Sequence, residues 1–324
     1  MPHSGLYGQG DFSRQDFFAI KPLALPRSDS QNPRVSRLQA FKAGVWRFCR
    51  MLSPRLEHEL RRRFSRSYYD NWGYRTRVAC ACPDNAFIPR VPNAGAIEGE
   101  YQILHNGLRV LRGSYYGKGP ERLFRRNRGV HEPQEERVFQ EVLKTLAPGS
   151  VMIELGAYWA FYSMWFCKEV PRARAYMVEP VAENLAFGQR NFAANGMTGH
   201  FTHALVGQHS GTAQDGTPII CVDDFVAQNG IEHVHLLHSD IQGYEVDMLR
   251  GCEKTVAQNR ISWFFISTHN EELHAACEAF LRTHHIAIEA SITTAESYST
   301  DGVLVGRAAH VPAIPPIALS RRKA

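Results

Sequence analysis

From about residue 131 onward, segments typical of strands alternate with segments typical of helices. The strand-like runs separated by helical segments are 151–155, 173–180, 200–207, 233–240 and 261–269. Alternation at this short spacing favours a parallel, doubly wound α/β sheet with right-handed crossovers. The last two strand-like runs, "IAIEAS" and "GVLVGRA", have no helix between them. We therefore expect these two strands to form an antiparallel hairpin at one edge of the sheet.

Charge is unevenly distributed along the 324 residues. Residues 1–150 carry 25 basic and 14 acidic side chains, whereas the rest of the chain carries 12 and 18. The densest basic stretch, "RLEHELRRRFSR" at 55–66, is typical of a solvated helix face, or else of contact with phosphate, a lipid surface or nucleic acid. Four regions are predicted: a loose N-terminus at 1–35, a basic helical or mixed region at 36–130, an α/β domain at 131–310 and a tail at 311–324.

Several classes of protein are disfavoured by composition. No run of about 18 uncharged apolar residues is present, so no membrane span is expected. The N-terminus lacks a basic start followed by an apolar core, so no signal peptide is expected either. The seven cysteines are scattered, and Cys80 and Cys82 form CxC rather than a repeated CxxC zinc pattern. These features favour a cytoplasmic protein with free thiols.

Residues able to bind ligands or transfer protons stand at the ends of four predicted strands. Gly156 follows the first strand, Glu179 ends the second, Asp240 ends the fourth and His269 ends the fifth. In an open α/β sheet, ligands bind outside the carboxyl ends of the strands. The joint pattern therefore predicts a ligand site at this edge, although each residue alone also has a purely structural explanation.

The spacing of these residues indicates a nucleoside. Gly156 allows close approach of the backbone to a ligand. Glu179 lies 23 residues later, near the spacing at which an acidic residue meets ribose hydroxyls. Glu154, inside the first strand, either orients the loop and reaches a cationic amino group through water, or simply braces the loop backbone.

The segment Gly156-Ala157-Tyr158-Trp159-Ala160 does not suit a pyrophosphate. It lacks the second and third glycines of GxGxxG, and no Walker lysine follows. Tyr158 and Trp159 would crowd a pyrophosphate. A ligand with a ribose but no phosphate, such as S-adenosyl-L-methionine, is the better match.

Several motifs resemble those of a known family. "ELGAYWAFYS" and "MVEP" look like the first two motifs of class I S-adenosylmethionine-dependent methyltransferases. "LLHSDIQGYEVDMLRG" and "DGVLVG" are similar to the lysine-isoleucine-aspartate-(acid)-glycine-x-glutamate stretch and the last strand of the FkbM family. The resemblance covers about 131–308, and 236–251 is its most specific part.

The resemblance implies a Rossmann-like, doubly wound, seven-stranded, mostly parallel sheet with an antiparallel last strand, here with a basic N-terminal extension. It also implies O-methylation of a sugar, glycan or hydroxylated natural product. The cofactor-binding residues carried over from the motifs are Glu154, Gly156, Ala157, Tyr158, Glu179, Pro180 and Asp240.

The chain departs from the family pattern at three positions. Tyr158 replaces an asparagine, Ala160 replaces a glycine and Gln242 replaces an acid. Tyr158 is expected to reshape the methionine side of the pocket or to cover the cofactor.

Asp240 and His269 are the predicted catalytic residues. Histidine is the natural general base near neutral pH. Asp240 is expected to hold the acceptor hydroxyl, to orient His269 or to bind a divalent metal, and metal dependence is possible but not favoured.

Other polar residues have structural explanations that the sequence favours. His233 and His235 share one face of a strand while His238 points to the other, so ordinary strand histidines are preferred to a metal site. His131 and Glu132 open a helix, where they cap it or reach over the pocket. Glu245 begins another helix and is expected to cap it.

Two further functions stay open. The basic N-terminal half supports a nucleic-acid methyltransferase, but no asparagine-proline-proline-aromatic motif and no aromatic-basic RNA-binding module is present. The altered loop at Tyr158 supports a non-catalytic, methyltransferase-like binding protein. For the favoured function, we expect Arg61 to Arg66 to attract an anionic lipid-linked substrate or the membrane surface that carries it.

Overall fold

The computed structural model describes residues 72–322, which lie within one compact unit, Arg66–Ala324. The predictions of a loose segment at 1–35, of the first part of the basic helical or mixed region (36–71) and of an anion-binding role for Arg61 to Arg66 fall outside the described residues. Within the described part of the chain, no helix has the length and apolar character needed to cross a bilayer.

A seven-stranded sheet forms the centre of the described unit. Its order is β12-β13-β11-β10-β4-β5-β6. The strands are β4 (Val151–Leu155), β5 (Arg174–Glu179), β6 (His200–His203), β10 (Val234–Ser239), β11 (Ile261–Thr268), β12 (Ala287–Ile292) and β13 (Gly302–Arg307). Neighbours from β6 to β11 are parallel, and β13 runs antiparallel to both β11 and β12. The predicted doubly wound sheet and its antiparallel edge hairpin are confirmed.

Helices cover both faces of this sheet. They are α1 (Trp72–Ala81), α2 (Glu121–Arg126), α3 (Pro133–Leu143), α4 (Phe161–Glu169), α5 (Ala182–Ala194), α6 (Val222–Gln228), α7 (Glu245–Arg250), α8 (Glu253–Ala257) and α9 (Glu271–Thr283). Side chains alternate across β11, so Trp263 and Phe265 belong to one hydrophobic cluster while Phe264 and Ile266 belong to the other. All eight residues of β11 are buried, as expected for a central strand.

Two small sheets flank the large one. The first consists of β1 (Ile97–Glu98), β2 (Tyr101–Ile103) and β3 (Arg109–Leu111). The second consists of β7 (Leu205–Val206), β8 (Gly211–Thr212) and β9 (Pro218–Ile220). The sequence predicts short strands in the first region but shows no signal for β8 and β9, whose residues are largely exposed and have no alternating apolar pattern.

Helix ends follow local chemistry more closely than the apolar pattern. A single helix predicted over "EVDMLRGCEKTVAQN" is instead two, because the chain turns at Gly251 and Cys252. Helix α3 begins at Pro133, with Glu135 and Glu136 in its first turn, where proline and acidic residues are favourable. Asn270 caps α9 by accepting a hydrogen bond from the Leu273 backbone N–H at 2.8 Å.

Residues before 131 pack onto the sheet domain through side-chain amides. Asn191 Oδ1 accepts from the Leu111 backbone N–H, and Asn195 Oδ1 accepts from the Arg109 N–H, each at 2.9 Å. Asn191 also donates to the Trp159 carbonyl at 3.0 Å. These bonds tie β3 and the loop after β4 to α5. The predicted domain boundary at 131 stays a prediction.

Candidate functional site

The loop after β4 turns on Gly156. Its φ is +74°, and a Cβ built there would lie 1.9 Å from the Asp240 carbonyl oxygen. The backbone N–H groups of Gly156 and Ala157 both donate to the Val178 carbonyl, at 2.9 and 3.0 Å. Glycine is therefore required because the backbone after β10 approaches it closely. The close approach of a ligand remains a prediction.

Two further residues of this loop adopt the left-handed region without being glycine. Tyr158 has a φ of 46° and Ala160 a φ of 61°, immediately before α4 begins at Phe161. These are the two positions where the family pattern has asparagine and glycine, the residues that tolerate this conformation best. The chain therefore keeps the loop conformation at a backbone cost of about 1–2 kcal/mol per residue.

Glu179 connects this loop to the next helix. Its carboxylate accepts hydrogen bonds from the Tyr158 N–H at 3.1 Å, the Val181 N–H at 2.9 Å and the Asn184 side-chain amide at 3.3 Å. The residue is 4% exposed, and this burial raises the pKa of its carboxyl group. A carboxylate accepts about four hydrogen bonds, so one acceptor position of Glu179 has no partner among the described residues. The predicted contact with a ribose hydroxyl stays a prediction.

Glu154 acts as a brace in the structure. Its carboxylate accepts from the Ser163 backbone N–H at 3.0 Å, in the first turn of α4. Burial raises the pKa of Glu154 to about 7. Contact with a cationic group of a ligand stays a prediction, as does a cofactor contact for Pro180, whose carbonyl accepts from His203 Nε2 at 2.8 Å.

His269 lies at the centre of a group of carboxylates. Its Nδ1 donates to Glu245 Oε1 at 2.7 Å. Its Nε2 lies 3.1 Å from Asp240 Oδ1 and 3.5 Å from Asp301 Oδ1, as ion pairs. We call His269, Asp240, Glu245 and Asp301 the acidic edge. The structure thus brings the two predicted catalytic residues together.

Asp301 reaches this group because β13 is antiparallel. It directly precedes β13, whose first residue, Gly302, pairs with Thr268 at the end of β11. The beginning of β13 therefore lies where β10 and β11 end. The sequence interpretation placed "DGVLVG" in a strand and missed Asp301, although the expected antiparallel hairpin was the signal that its first residue shares the ligand-binding edge.

Protonation in the acidic edge differs from that of free side chains. Burial alone would lower the pKa of His269, but Asp301, Asp240 and Glu245 raise it well above its usual value. Burial raises the pKa of Asp301 to about 7, with Asp240 adding to burial and His269 opposing it. His269 is therefore a cation at neutral pH, and this changes the role that it can take in catalysis. The catalytic assignment itself stays a prediction.

A second buried polar group adjoins the acidic edge at the start of α3. His131 Nδ1 lies 2.7 Å from Glu136 Oε1, and its Nε2 lies 3.2 Å from Glu132 Oε2. Tyr162 donates to Glu132 at 2.9 Å. Burial opposes both charges, but the pairing raises the pKa of His131 to about 10 and lowers that of Glu132 to about 2. These residues form buried ion pairs rather than a simple helix cap.

Aromatic side chains cover the loop after β4. The Tyr116 backbone N–H donates to Tyr158 Oη at 2.8 Å, and the two rings lie 5.2 Å apart. Tyr115 packs against Trp159 at 4.8 Å, and Trp72 against Tyr116 at 5.7 Å. Tyr158 therefore lies against Tyr116, and its expected role, reshaping the methionine side of the pocket or covering the cofactor, stays a prediction.

The remaining histidines separate as their strand positions predict. The rings of His233 and His235 lie 4.8 Å apart, and His310 lies 5.8 Å from His233. His238 points to the other face, where its Nε2 donates to Glu135 Oε1 at 2.8 Å. Among residues 72–322, no group of three or more His, Cys, Asp or Glu side chains has a metal-binding arrangement.

Residues 192–286 match the family model described as the methyltransferase FkbM domain. This segment contains Asp240, Glu245 and His269, whereas Gly156 and Glu179 precede it. A search of curated proteins gives no match.

Three solved structures are distantly similar to this chain. TrmK of M. capricolum, in complex with S-adenosyl-homocysteine, is 12% identical over 54% of this chain and 69% of its own, with a TM-score of 0.39. Ribosomal protein L11 methylase of Lactobacillus delbrueckii subsp. bulgaricus is 10% identical over 56% and 81%, also with a TM-score of 0.39. Precorrin-6y C5,15-methyltransferase of Geobacter metallireducens is 14% identical over 53% and 87%, with a TM-score of 0.36.

The resemblance to the FkbM family, first seen in the block 236–251, is confirmed by the domain match. The description of the matched domain favours methyl transfer, for which S-adenosyl-L-methionine is the expected methyl donor. Residues 192–286 of this chain are therefore similar to the methyltransferase FkbM domain.

Proposed function

We propose that this protein is an S-adenosyl-L-methionine-dependent O-methyltransferase that methylates a hydroxyl of a sugar, glycan or hydroxylated natural product. One observation carries the proposal: the loop at Gly156, the Glu179 carboxylate and the acidic edge around His269 all lie at the carboxyl ends of adjacent strands. In a doubly wound sheet this is where a cofactor and its acceptor meet.

The residues of the β4 and β5 ends suit the nucleoside part of the cofactor. Glu179 has an acceptor position left for a ribose hydroxyl, and its bonds to Tyr158 and Val181 hold it in place. When bound, S-adenosyl-L-methionine would supply an electrophilic methyl group, whose bond to sulfur would break as its bond to the acceptor oxygen forms, with S-adenosyl-L-homocysteine as the leaving group. Tyr115 and Tyr116 cover this loop, so we expect that cover to move when the cofactor enters.

The acidic edge suits the acceptor. The Asp240 side chain is 35% exposed, compared with 8% for His269 and none for Glu245. Asp240 is thus the residue of this group that most readily meets an incoming hydroxyl. Its Oδ1 also accepts from the Gln242 side-chain amide at 3.1 Å. Gln242 replaces the acid of the family pattern and orients Asp240 without adding a further negative charge.

The proton of the acceptor hydroxyl has to pass to a carboxylate. His269 already carries a proton on Nδ1, shared with Glu245, and its surroundings hold it as a cation. Asp240 and Asp301 flank its Nε2. Burial raises the pKa of Asp301 to about 7, and a base with a pKa near the working pH is the most effective. We infer that these two aspartates take up the proton while His269 holds them in position.

Calorimetric titration with S-adenosyl-L-methionine tests the cofactor part. The parent is expected to bind, and Glu179→Ala to bind at least about tenfold more weakly, since a hydrogen bond to a charged group contributes about 1.5–3 kcal/mol. Glu169→Ala, an exposed acid at the end of α4, is the matched control. If a folded parent fails to bind, the non-catalytic interpretation, which Tyr158 supports, takes first place.

Transfer of a radiolabelled methyl group to a panel of sugars and hydroxylated natural products tests the acceptor part. We expect Asp240→Asn to lower the rate by about 10²–10⁴-fold, the usual contribution of acid–base catalysis. The variant keeps the size of the side chain, and Asp247→Asn, an exposed aspartate on α7, is the matched control. Equal rates for the parent and the variant would remove Asp240 from the chemistry.

A further inference from the structure

A groove lies between α1 and α2, away from the acidic edge. It is a shallow, open depression lined by Thr76, Arg77, Cys80, Ala81 and Arg126. The two arginines are exposed, as are Cys80 and Ala81, so the groove is open to solvent. Among residues 72–322, its lining includes two positive side chains and no negative one. We call it the arginine groove.

The positive charge of the arginine groove extends beyond its two lining arginines. Burial raises the pKa of the Cys80 thiol, and the positive charges of Arg126 and Arg90 oppose this effect. Both guanidinium groups are therefore close enough for Cys80 to feel their charge. Three more exposed arginines follow in or just after α2: Arg122, Arg125 and Arg128.

The arginines of the groove differ from others nearby in their partners. Arg112 pairs with Glu121 at 3.0 Å, and Arg137 pairs with the buried Asp84. Within residues 72–322, neither Arg77 nor Arg126 belongs to an ion pair, and Arg77 contacts only the Tyr74 ring, at 5.7 Å. A planar guanidinium with five donors binds phosphate oxygens two at a time, and here its donors have no competing carboxylate.

Helix α1 links this groove to the acidic edge. On another side of the helix, Arg75 donates to Thr300 Oγ1 at 3.3 Å and stacks over the Trp72 ring at 4.1 Å. Thr300 in turn donates to Asp301 Oδ2 at 2.7 Å. Arg75 and Cys80 are five residues apart on α1, so about 7.5 Å of helix axis separates the contact with Thr300 from Cys80 in the groove.

We propose that the arginine groove binds a phosphate or pyrophosphate group of the methyl acceptor, while another part of the same molecule presents its hydroxyl to the acidic edge. The substrate class is thus a phosphate-bearing hydroxylated compound, and this inference rests on the proposed methyl-transfer function. The short lining, with two arginines, suits one compact anionic group, since nucleic-acid binding uses many phosphate contacts along a longer surface.

The test is calorimetric titration of the full chain with inorganic pyrophosphate. The parent is expected to bind, and each of Arg77→Gln and Arg126→Gln to weaken binding about tenfold. Arg282→Gln, which removes an exposed arginine from α9, is the matched control and is expected to leave binding unchanged. Unaltered thermal unfolding of the variants shows that they fold.

Three results would overturn the proposal. They are no pyrophosphate binding by the parent, equal binding by the double variant Arg77→Gln/Arg126→Gln, and binding only to phosphatidylglycerol vesicles, which would assign the groove to a lipid surface. Failure of the methyltransferase function itself is recognised separately. In that case S-adenosyl-L-methionine fails to bind while pyrophosphate still binds in an arginine-dependent way.

Discussion

The acidic edge and the arginine groove are opposite in charge and in environment. Around His269, three carboxylates from separate segments are mostly buried and within 3.5 Å of one imidazole. Around Cys80, guanidinium groups are exposed and lack ion-pair partners in the described residues. Buried charges interact strongly and change one another's protonation, whereas exposed charges are weakened by water and salt. The first region therefore suits proton chemistry, and the second suits reversible capture of an anion.

The largest expected difference between the two regions is the loss of stability that a substitution in each of them causes. Glu245→Ala would leave the His269 imidazolium without its hydrogen-bonded partner, and breaking a buried pair costs about 3–5 kcal/mol. Arg126→Ala should change the free energy of unfolding by no more than about 0.5 kcal/mol, since it is an exposed substitution. Denaturant unfolding measures both changes. Similar losses in the free energy of unfolding for the two variants would mean that the side chains of the acidic edge interact no more strongly than the exposed arginines of the groove.

The second effect is a pH dependence confined to the acidic edge. The pKa of Asp301 is about 7 in the folded state, above its unfolded value, so the folded form binds the proton more tightly. Its contribution to stability is present at low pH and is lost as pH rises from about 4 to about 7. Asp301→Asn lacks this loss, so its stability relative to the parent should rise by about 2–4 kcal/mol over that range.

Unfolding curves at several pH values check this expectation for Asp301. Asp247→Asn, whose side chain is 45% exposed on α7, is the control and should show no comparable trend. A constant difference between Asp301→Asn and the parent from pH 4 to 8 would contradict the raised pKa of Asp301.

The third effect, a salt dependence, belongs to the groove. Raising the ionic strength from about 0.05 to about 0.5 M shortens the Debye length to a few ångströms and should weaken pyrophosphate binding about tenfold. The destabilisation caused by Glu245→Ala should change little over the same range, because buried pairs are screened less. Calorimetric titration with pyrophosphate measures the change in binding, and denaturant unfolding of the parent and Glu245→Ala measures the change in destabilisation, each at both ionic strengths. Insensitive pyrophosphate binding would argue against exposed arginines as its source.

The smallest effect concerns the strained loop beside the acidic edge. Ala160→Gly relieves the backbone strain of a left-handed alanine, which should raise the free energy of unfolding by about 1 kcal/mol. It also removes a buried methyl group, which should lower it by about the same amount. The net change should lie within about 0.5 kcal/mol. Ala175→Gly, buried in β5 with ordinary strand backbone, should destabilise by about 1 kcal/mol or more. Equal losses in the two variants would mean that Ala160 carries no strain.

Much of the fold follows from patterns within short segments. The apolar run 261–269 predicts a central strand, and β11 occupies 261–268 with every residue buried. Pro133 and the acidic residues after it predict the start of α3. The helix break at Gly251 and the hairpin of β8 and β9 do not follow, because contacts with other parts of the chain override weak local preferences there.

Part of the candidate site also follows from sequence. Because the carboxyl ends of parallel strands meet at one edge, Asp240 and His269 are expected to be near one another, and they lie 3.1 Å apart. The sequence suggested that Glu245 only caps a helix, whereas its carboxylate holds His269. It also gave His269 the role of a base at neutral pH, whereas the three surrounding carboxylates hold it as a cation.

The sequence by itself therefore determined the alternating α/β architecture, the edge that carries the site and the family resemblance, because strand and helix periodicity and motif spacing are local properties. Only the tertiary structure decided the placement of Asp301, the charge of His269 and the existence of the arginine groove. Each depends on distances and burial among groups far apart in the chain, such as Asp240 and Asp301. Protonation and ion pairing are set by these distances, which no local pattern of residues encodes.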